Sequence, residues 1–245
     1  MHTVPGLFDR LSALYAEGEA AVDQGRLEDA VRIFTEGIGL DDHFRQRYVT
    51  MYALRAFAKQ RMNDLAGAIP DYTRAIEMEP PVNQAQYLFH RGMCFAGLGG
   101  HEEHAINDYA RSSAIYPDHP GPYHLRGKLL VDAERWDEAI ADFDRFLAIR
   151  PHPEVLQLRG FSKLNLGRGA DAIPDLDESG RMAPDVYTSY LLAWAGAVAP
   201  DDNVFYRALE ATLREDPSYK QYFVSHQDFA RFRGQPRFET VVGSV

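Results

Sequence analysis

The chain is poor in cysteine: Cys94 is the only one in 245 residues. A lone thiol excludes an intramolecular disulfide and zinc-ribbon arrangements, and fits a reducing compartment. Long apolar runs are missing as well. The best stretch, Leu191 to Ala199, falls far short of the roughly 20 apolar residues that a membrane-spanning helix needs. The opening Met1-His2-Thr3-Val4-Pro5-Gly6 lacks the positive flank and apolar run of a secretory signal. A cytoplasmic protein without a membrane partner is the expectation. Positive charge is in deficit, with 26 Lys and Arg against 36 Asp and Glu and a net charge of −10. No basic stripe is present to neutralise phosphates, which argues against nucleic acid as a partner.

Catalytic signatures are equally scarce. Gly97-Leu98-Gly99-Gly100 is a turn with no lysine after it, so it is not a phosphate loop. His101-Glu102-Glu103-His104 comes closest to a metal motif, but its two histidines suggest no third ligand. Polarity at a helix start is the plainer account of it. Cys94 lies mid-helix beside core positions and reads as a buried structural thiol rather than a nucleophile. No catalytic, cofactor-binding or metal residues are assigned, and the chain reads as non-enzymatic.

What the chain does have is a repeat. Ala68-Ile69, Ala105-Ile106, Ala139-Ile140 and Ala172-Ile173 are each followed, three residues after the alanine, by Asp71, Asp108, Asp142 and Asp175. Next comes a large apolar residue, Tyr72, Tyr109, Phe143 or Leu176, and twelve residues after each alanine a proline, Pro80, Pro117, Pro151 or Pro184. Ala30-Val31 with Phe34 is a weaker fifth copy, and successive alanines lie 38, 37, 34 and 33 residues apart. Self-similarity at such a period marks a stacked array, in which each unit buries its apolar face against its neighbours. About twelve residues before each alanine stands a small residue: Gly18, Ala56, Gly92, Gly127 or Gly160. Small residues let two antiparallel helices approach closely, and the alanine is expected to fill the other side of that contact. The proline then ends the second helix.

This spacing resembles the tetratricopeptide repeat, whose unit carries small residues at positions 8 and 20, an aromatic near 24 and proline at 32. The likeness runs over residues 8–217, most faithfully from Gly121 to Pro151. It implies an all-α fold, a right-handed superhelical stack of antiparallel helix pairs. About five repeats and one degenerate unit (Tyr187 to Pro217, with Phe205 where alanine belongs) would form the array. Residues 218–245 would close it, covering the last core with Phe229, Phe232 and Phe238. Extra residues are expected around Asp41 to Arg47 and at Pro80-Pro81-Val82-Asn83 and Gly99-Gly100.

Two further expectations concern the pairs themselves. Arg55, Arg91, Arg126 and Arg159 stand 16 or 17 residues before the recurrent aspartates and should pair with them. As partly exposed pairs they would contribute roughly 0.2–1 kcal/mol each. Pro70 and Pro174 sit inside the second helix, where proline costs about 3 kcal/mol, and predict a kink or a delayed helix start.

In the family, the first helix of each unit lines a concave groove. The resemblance places Tyr15, Glu19, Phe57, Arg61, Phe89, His90, Met93, His124, Lys128, Phe161, Asn165, Tyr190 and Trp194 there. Tyr15 and Glu19 stand where a carboxylate clamp needs lysine and asparagine, so no such clamp is expected. An aromatic groove suits a protein or peptide segment with large apolar anchors. The alternatives are self-association through the C-terminal segment or an end of the stack, giving a homo-oligomer, and service as an accessory subunit of an enzyme complex.

Overall fold

The computed structural model describes residues 6–40 and 45–244, with the side chains of 45–48 left aside. Among these residues the secondary structure is helical throughout, with no strand. The chain forms two compact units, residues 1–122 and 123–245. The first holds three helix pairs: α1 (Leu7–Asp23) with α2 (Leu27–Gly39), α3 (Arg45–Arg61) with α4 (Leu65–Met78), and α5 (Ala85–Leu98) with α6 (Glu102–Ile115). Each helix packs on the next in chain order. The boundary between units falls in the first turn of α7 (Pro120–Asp132). The second unit continues with α8 (Trp136–Ile149), α9 (Pro153–Asn165) with α10 (Gly169–Met182), and α11 (Val186–Val198) with α12 (Asp202–Glu215). Within each unit the fold is the all-α stack of antiparallel pairs that the spacing predicts.

Turns and contacts recur with the sequence period. The turns inside the pairs pass through the left-handed region, at Asn63 (φ 63°) and Glu134 (φ 56°) for example, and at both Gly99 and Gly100 between α5 and α6. The small residue of the first helix meets the large side chain four positions after the alanine, and Ala56 shares one packed cluster with Ala68 and Tyr72. A methyl group at Gly92 would come 2.8 Å from Cε1 of Tyr109, and one at Gly127 2.5 Å from Cε1 of Phe143. Gly18 meets Phe34 and Gly160 meets Leu176 in the same way. The ring spans the gap between the helices, so the first helix must lack a side chain there.

The four arginine–aspartate pairs form, each as a two-pronged contact. Arg91 donates from Nε and Nη2 to Asp108 at 2.8 Å each, and Arg55–Asp71, Arg126–Asp142 and Arg159–Asp175 repeat the geometry. These pairs are not the partly exposed ones expected: the four aspartates are only 2–5% exposed. Removing one partner of a buried pair strands a charge and costs about 3–5 kcal/mol.

Pro70 and Pro174 do not delay their helices, which begin five residues upstream at Leu65 and Gly169. Both prolines are exposed, away from the packed face. These two repeats share a compensating lysine. Lys59 reaches Asp71 (2.8 Å) and the Gly67 carbonyl (3.1 Å), and Lys163 reaches Asp175 (2.7 Å) and the Asp171 carbonyl (3.1 Å). Each lysine thus supplies a donor beside the carbonyl that proline leaves unbonded. The repeats without the proline carry Phe95 and Leu130 at the lysine's place. The lengthened link at Pro80–Asn83 contains a single 3-10 turn, Pro81–Asn83. The one around Asp41 to Arg47 lies largely outside the described residues.

After α12 the chain makes a 3-10 turn (Pro217–Tyr219), α13 (Lys220–Ser225), a second 3-10 stretch (Gln227–Phe232) and α14 (Pro236–Gly243). Phe223, Phe229, Phe232 and Phe238 are buried in one cluster with Phe205, Tyr206, Leu209 and Leu213 of α12. Phe205, which replaces the recurrent alanine, stacks on Phe232 with ring centroids 3.6 Å apart.

Candidate functional site

In the first unit two hollows meet at Gln86 and His90 of α5, one between α5 and the end of α6, the other between α5 and α3. The larger, about 510 Å³, is walled by Phe89, His90, Ile115, Tyr116 and His119, with Val82 and Asn83 at one edge. The smaller, about 250 Å³, lies among Ala53, Leu54, Phe57, Tyr72 and Tyr87. Sequence accounts for both. Ala53 stands 36 residues before Phe89 at the same place in the repeat, and its small side chain leaves room. On the other side Gly121 approaches so closely that a methyl group would lie 2.7 Å from His119 and 3.0 Å from Phe89.

His90 is the centre of this trough. Its ring lies edge-on to Phe57 at 5.7 Å, parallel to Tyr72 at 5.8 Å and edge-on to Phe89 at 5.6 Å. Burial, and then the neighbouring His119, pushes its pKa below the usual histidine range, so the ring is neutral near pH 7. Its Nδ1 is buried without a hydrogen-bond partner. Beside the trough, Arg61 lies over the Phe57 ring and donates to the Val22 carbonyl of α1 at 3.3 Å. On α1, the Tyr15 hydroxyl donates to Glu19 at 2.8 Å. Met93 is exposed on α5.

The second unit arranges the same kind of face differently. Lys128 pairs with Glu154 at 3.0 Å, and the His124 ring packs on Phe146 and His152. Burial lowers the His124 pKa against the raising pull of Glu154. Phe161 sits edge-on to Trp136 and Trp194, and the Asn165 amide donates to the Phe161 carbonyl. Tyr190 touches Tyr219, Tyr222, Phe223 and Phe229 of the C-terminal segment, and burial pushes its phenol up to about 12. The Trp194 indole N–H donates to Asp228 at 2.6 Å, and its ring meets His226. Phe161 of α9 touches Trp194 of α11, and Trp194 touches His226, so the C-terminal segment lies against α11.

Each of the thirteen residues named from sequence is half-buried or exposed. The structure gathers Phe57, Phe89 and His90 around one trough and covers Tyr190 and Trp194 with the chain's own tail. Sequence reasoning did not name Gln86, Ala53, Tyr116 or His119. Gln86 stands at a groove position and was legible in principle, whereas Tyr116 and His119 lie past the end of α6, where groove positions give no signal. The other candidate chemistries stay apart: Cys94 is buried with its thiol pushed up to about 11, and His101 and His104 pack with Phe95. Among the described residues no three His, Cys, Asp or Glu side chains are grouped to hold a metal ion.

Residues 124–186, which carry two of these helix pairs, match the family model described as tetratricopeptide repeat. Over these residues the chain carries tetratricopeptide repeats. It is similar to the small glutamine-rich tetratricopeptide repeat-containing protein 2 of Mycosarcoma maydis, 32% identical over 94 residues. That match spans 38% of this chain and about a quarter (26%) of the relative's length. Among solved structures, a tetratricopeptide repeat protein from Parabacteroides merdae superposes with a TM-score of 0.64 at 14% identity, over 96% of this chain and 98% of its own. The C-terminal part of a repeat-containing protein from Cytophaga hutchinsonii gives 0.68 at 13% identity, over 93% and 92%. The MamA protein gives 0.64 at 14% identity, over 71% and 91%. At these identities the likeness to the solved structures is one of fold. Tetratricopeptide proteins are generally non-enzymatic scaffolds for protein–protein interaction. No helix among the described residues is long and apolar enough to cross a membrane.

Proposed function

We propose that the chain is a cytoplasmic, non-enzymatic adaptor that seats a polypeptide segment of a partner in the His90 trough of its first unit. The observation that carries this reading is the trough itself: two joined hollows of binding-site dimensions, walled by aromatic rings, on the helices that line the groove in this family. The proposed array is 8–217, and 218–245 acts as its cap, because the tail's rings cover the α11–α12 core that would otherwise face water. Tyr190 and Trp194 then serve the cap, while Phe57, Phe89 and His90 serve the partner, and Tyr15, Glu19, Arg61 and Met93 flank them. His124, Lys128, Phe161 and Asn165 belong to a separate proposed surface within the second unit.

Gln86 is exposed, lines both hollows and can carry a bulky side chain without disturbing the core. Capturing partners from native extract with wild-type protein and with Gln86→Trp tests the reading. Loss of a specific partner with Gln86→Trp, at unchanged circular dichroism, is expected; an identical set of captured proteins would refute it. A second reading, self-association, has one observation in its favour: Tyr187, Tyr222 and Val224 are exposed apolar residues of the second unit. Sedimentation over a range of concentrations tests it, and a concentration-independent monomer would dismiss it.

A further inference from the structure

The trough is electrically bland, and its surroundings are not. The described residues lining the two hollows include no Asp, Glu, Lys or Arg. Their only basic groups are the imidazoles of His90 and His119. An ionised side chain entering the trough would therefore be desolvated with no countercharge to meet it, whereas an apolar side chain meets rings on several sides.

Charge appears at the α1 edge. Glu19 and Asp23 are both exposed, and neither has an ion-pair partner among the described residues; Glu19 accepts only from the Tyr15 hydroxyl. They sit in the last turns of α1, where the backbone carbonyl ends are themselves negative and where a helix ordinarily carries lysine or arginine. The last turn of α1 holds no basic residue. The cation at this edge is Arg61, which is turned onto the Val22 carbonyl and the Phe57 ring instead of either carboxylate. Residues 1–122 as a whole carry 11 basic against 17 acidic side chains, so the unit's field favours the approach of positive charge.

We infer that the seated segment joins a large apolar side chain, placed in the His90 trough, to a lysine or arginine directed at Glu19 and Asp23. The inference rests on the trough being the partner's seat and adds the chemistry of that partner: a basic, aromatic-bearing peptide segment. An acidic segment would meet the unpaired carboxylates as like charges.

Panning a library of random twelve-residue peptides on the full chain tests both levels at once. Peptides that combine Phe, Trp, Tyr or Leu with Lys or Arg should be enriched. Synthetic copies of them should bind roughly threefold to tenfold more weakly to the Glu19→Lys/Asp23→Lys double variant, as expected for two exposed charge pairs. Raised salt should weaken binding to wild type in the same direction. Both substitutions are on exposed positions, and circular dichroism confirms that the fold is kept. Enrichment of acidic or uncharged peptides, or affinities indifferent to the charge reversal, overturns the inference; if those peptides are still lost with Gln86→Trp, the trough stands as the seat. Enrichment that survives Gln86→Trp, or no enrichment on folded protein, overturns both.

Discussion

Phe89 and Met93 of α5 occupy the same repeat positions as Tyr190 and Trp194 of α11, yet the two pairs have different neighbours. In the first unit Phe89 walls an open hollow and Met93 is exposed. In the second, Tyr190 lies under four aromatic rings of the C-terminal segment, and Trp194 is fixed by a hydrogen bond to Asp228. A position in a repeat therefore has no fixed role. It is left open or covered according to what the chain supplies next to it. After Pro217 the repeat pattern stops, and residues rich in phenylalanine supply the missing neighbour.

Breaking the covered face should have the largest consequence. Phe232→Ala removes a ring stacked on Phe205 and leaves a cavity, so it should destabilise the second unit by about 3–5 kcal/mol, read as a shift in urea midpoint. A variant at wild-type stability would show that the tail merely rests on the array. Next, Trp194→Phe keeps an aromatic, though smaller, ring and deletes the donor to Asp228. A loss of about 1.5–3 kcal/mol in the same measurement is expected for a hydrogen bond to a charged group.

The open face should respond to pH. His90 has its pKa depressed in the folded state, so the unfolded chain takes up a proton more readily as pH falls. The neutral ring's contribution is fully present above pH ~6.5, the unfolded value, and is lost as pH drops through the folded value. His124, also depressed, adds to the trend in the second unit. Denaturation followed from pH 7.5 down to 5 should show falling stability, with a shallower slope in His90→Phe. The smallest effect on stability belongs to Gln86→Trp, expected within about 0.5 kcal/mol of wild type because the site is exposed, even though partner capture is lost.

The repeat, the helix pairs and the arginine–aspartate partners could be read from spacing, because identical contacts recur at every period. The depth of those ion pairs could not be read. A guanidinium and a carboxylate 16 residues apart look alike whether water reaches them or not, and here four aspartates are buried. The prolines do not delay the helix start because their rule is local: an exposed ring and the donor from Lys59 or Lys163 let the helix run on. The reach of Tyr109 and Phe143 across to Gly92 and Gly127 was not legible either, since a pattern shows which positions are small but not which ring reaches across to them.

Composition and period alone determined that this chain is a stack of helix pairs, since side chains at fixed spacing must meet the same neighbours in every unit. Tertiary structure decided which groove residues stay open. His119, Gly121 and Ala53 come from different parts of the chain, and only folding brings them around His90 to leave a trough. It likewise turned Tyr190 and Trp194 inward, because a segment beyond the repeat lies on them and no periodicity describes that segment.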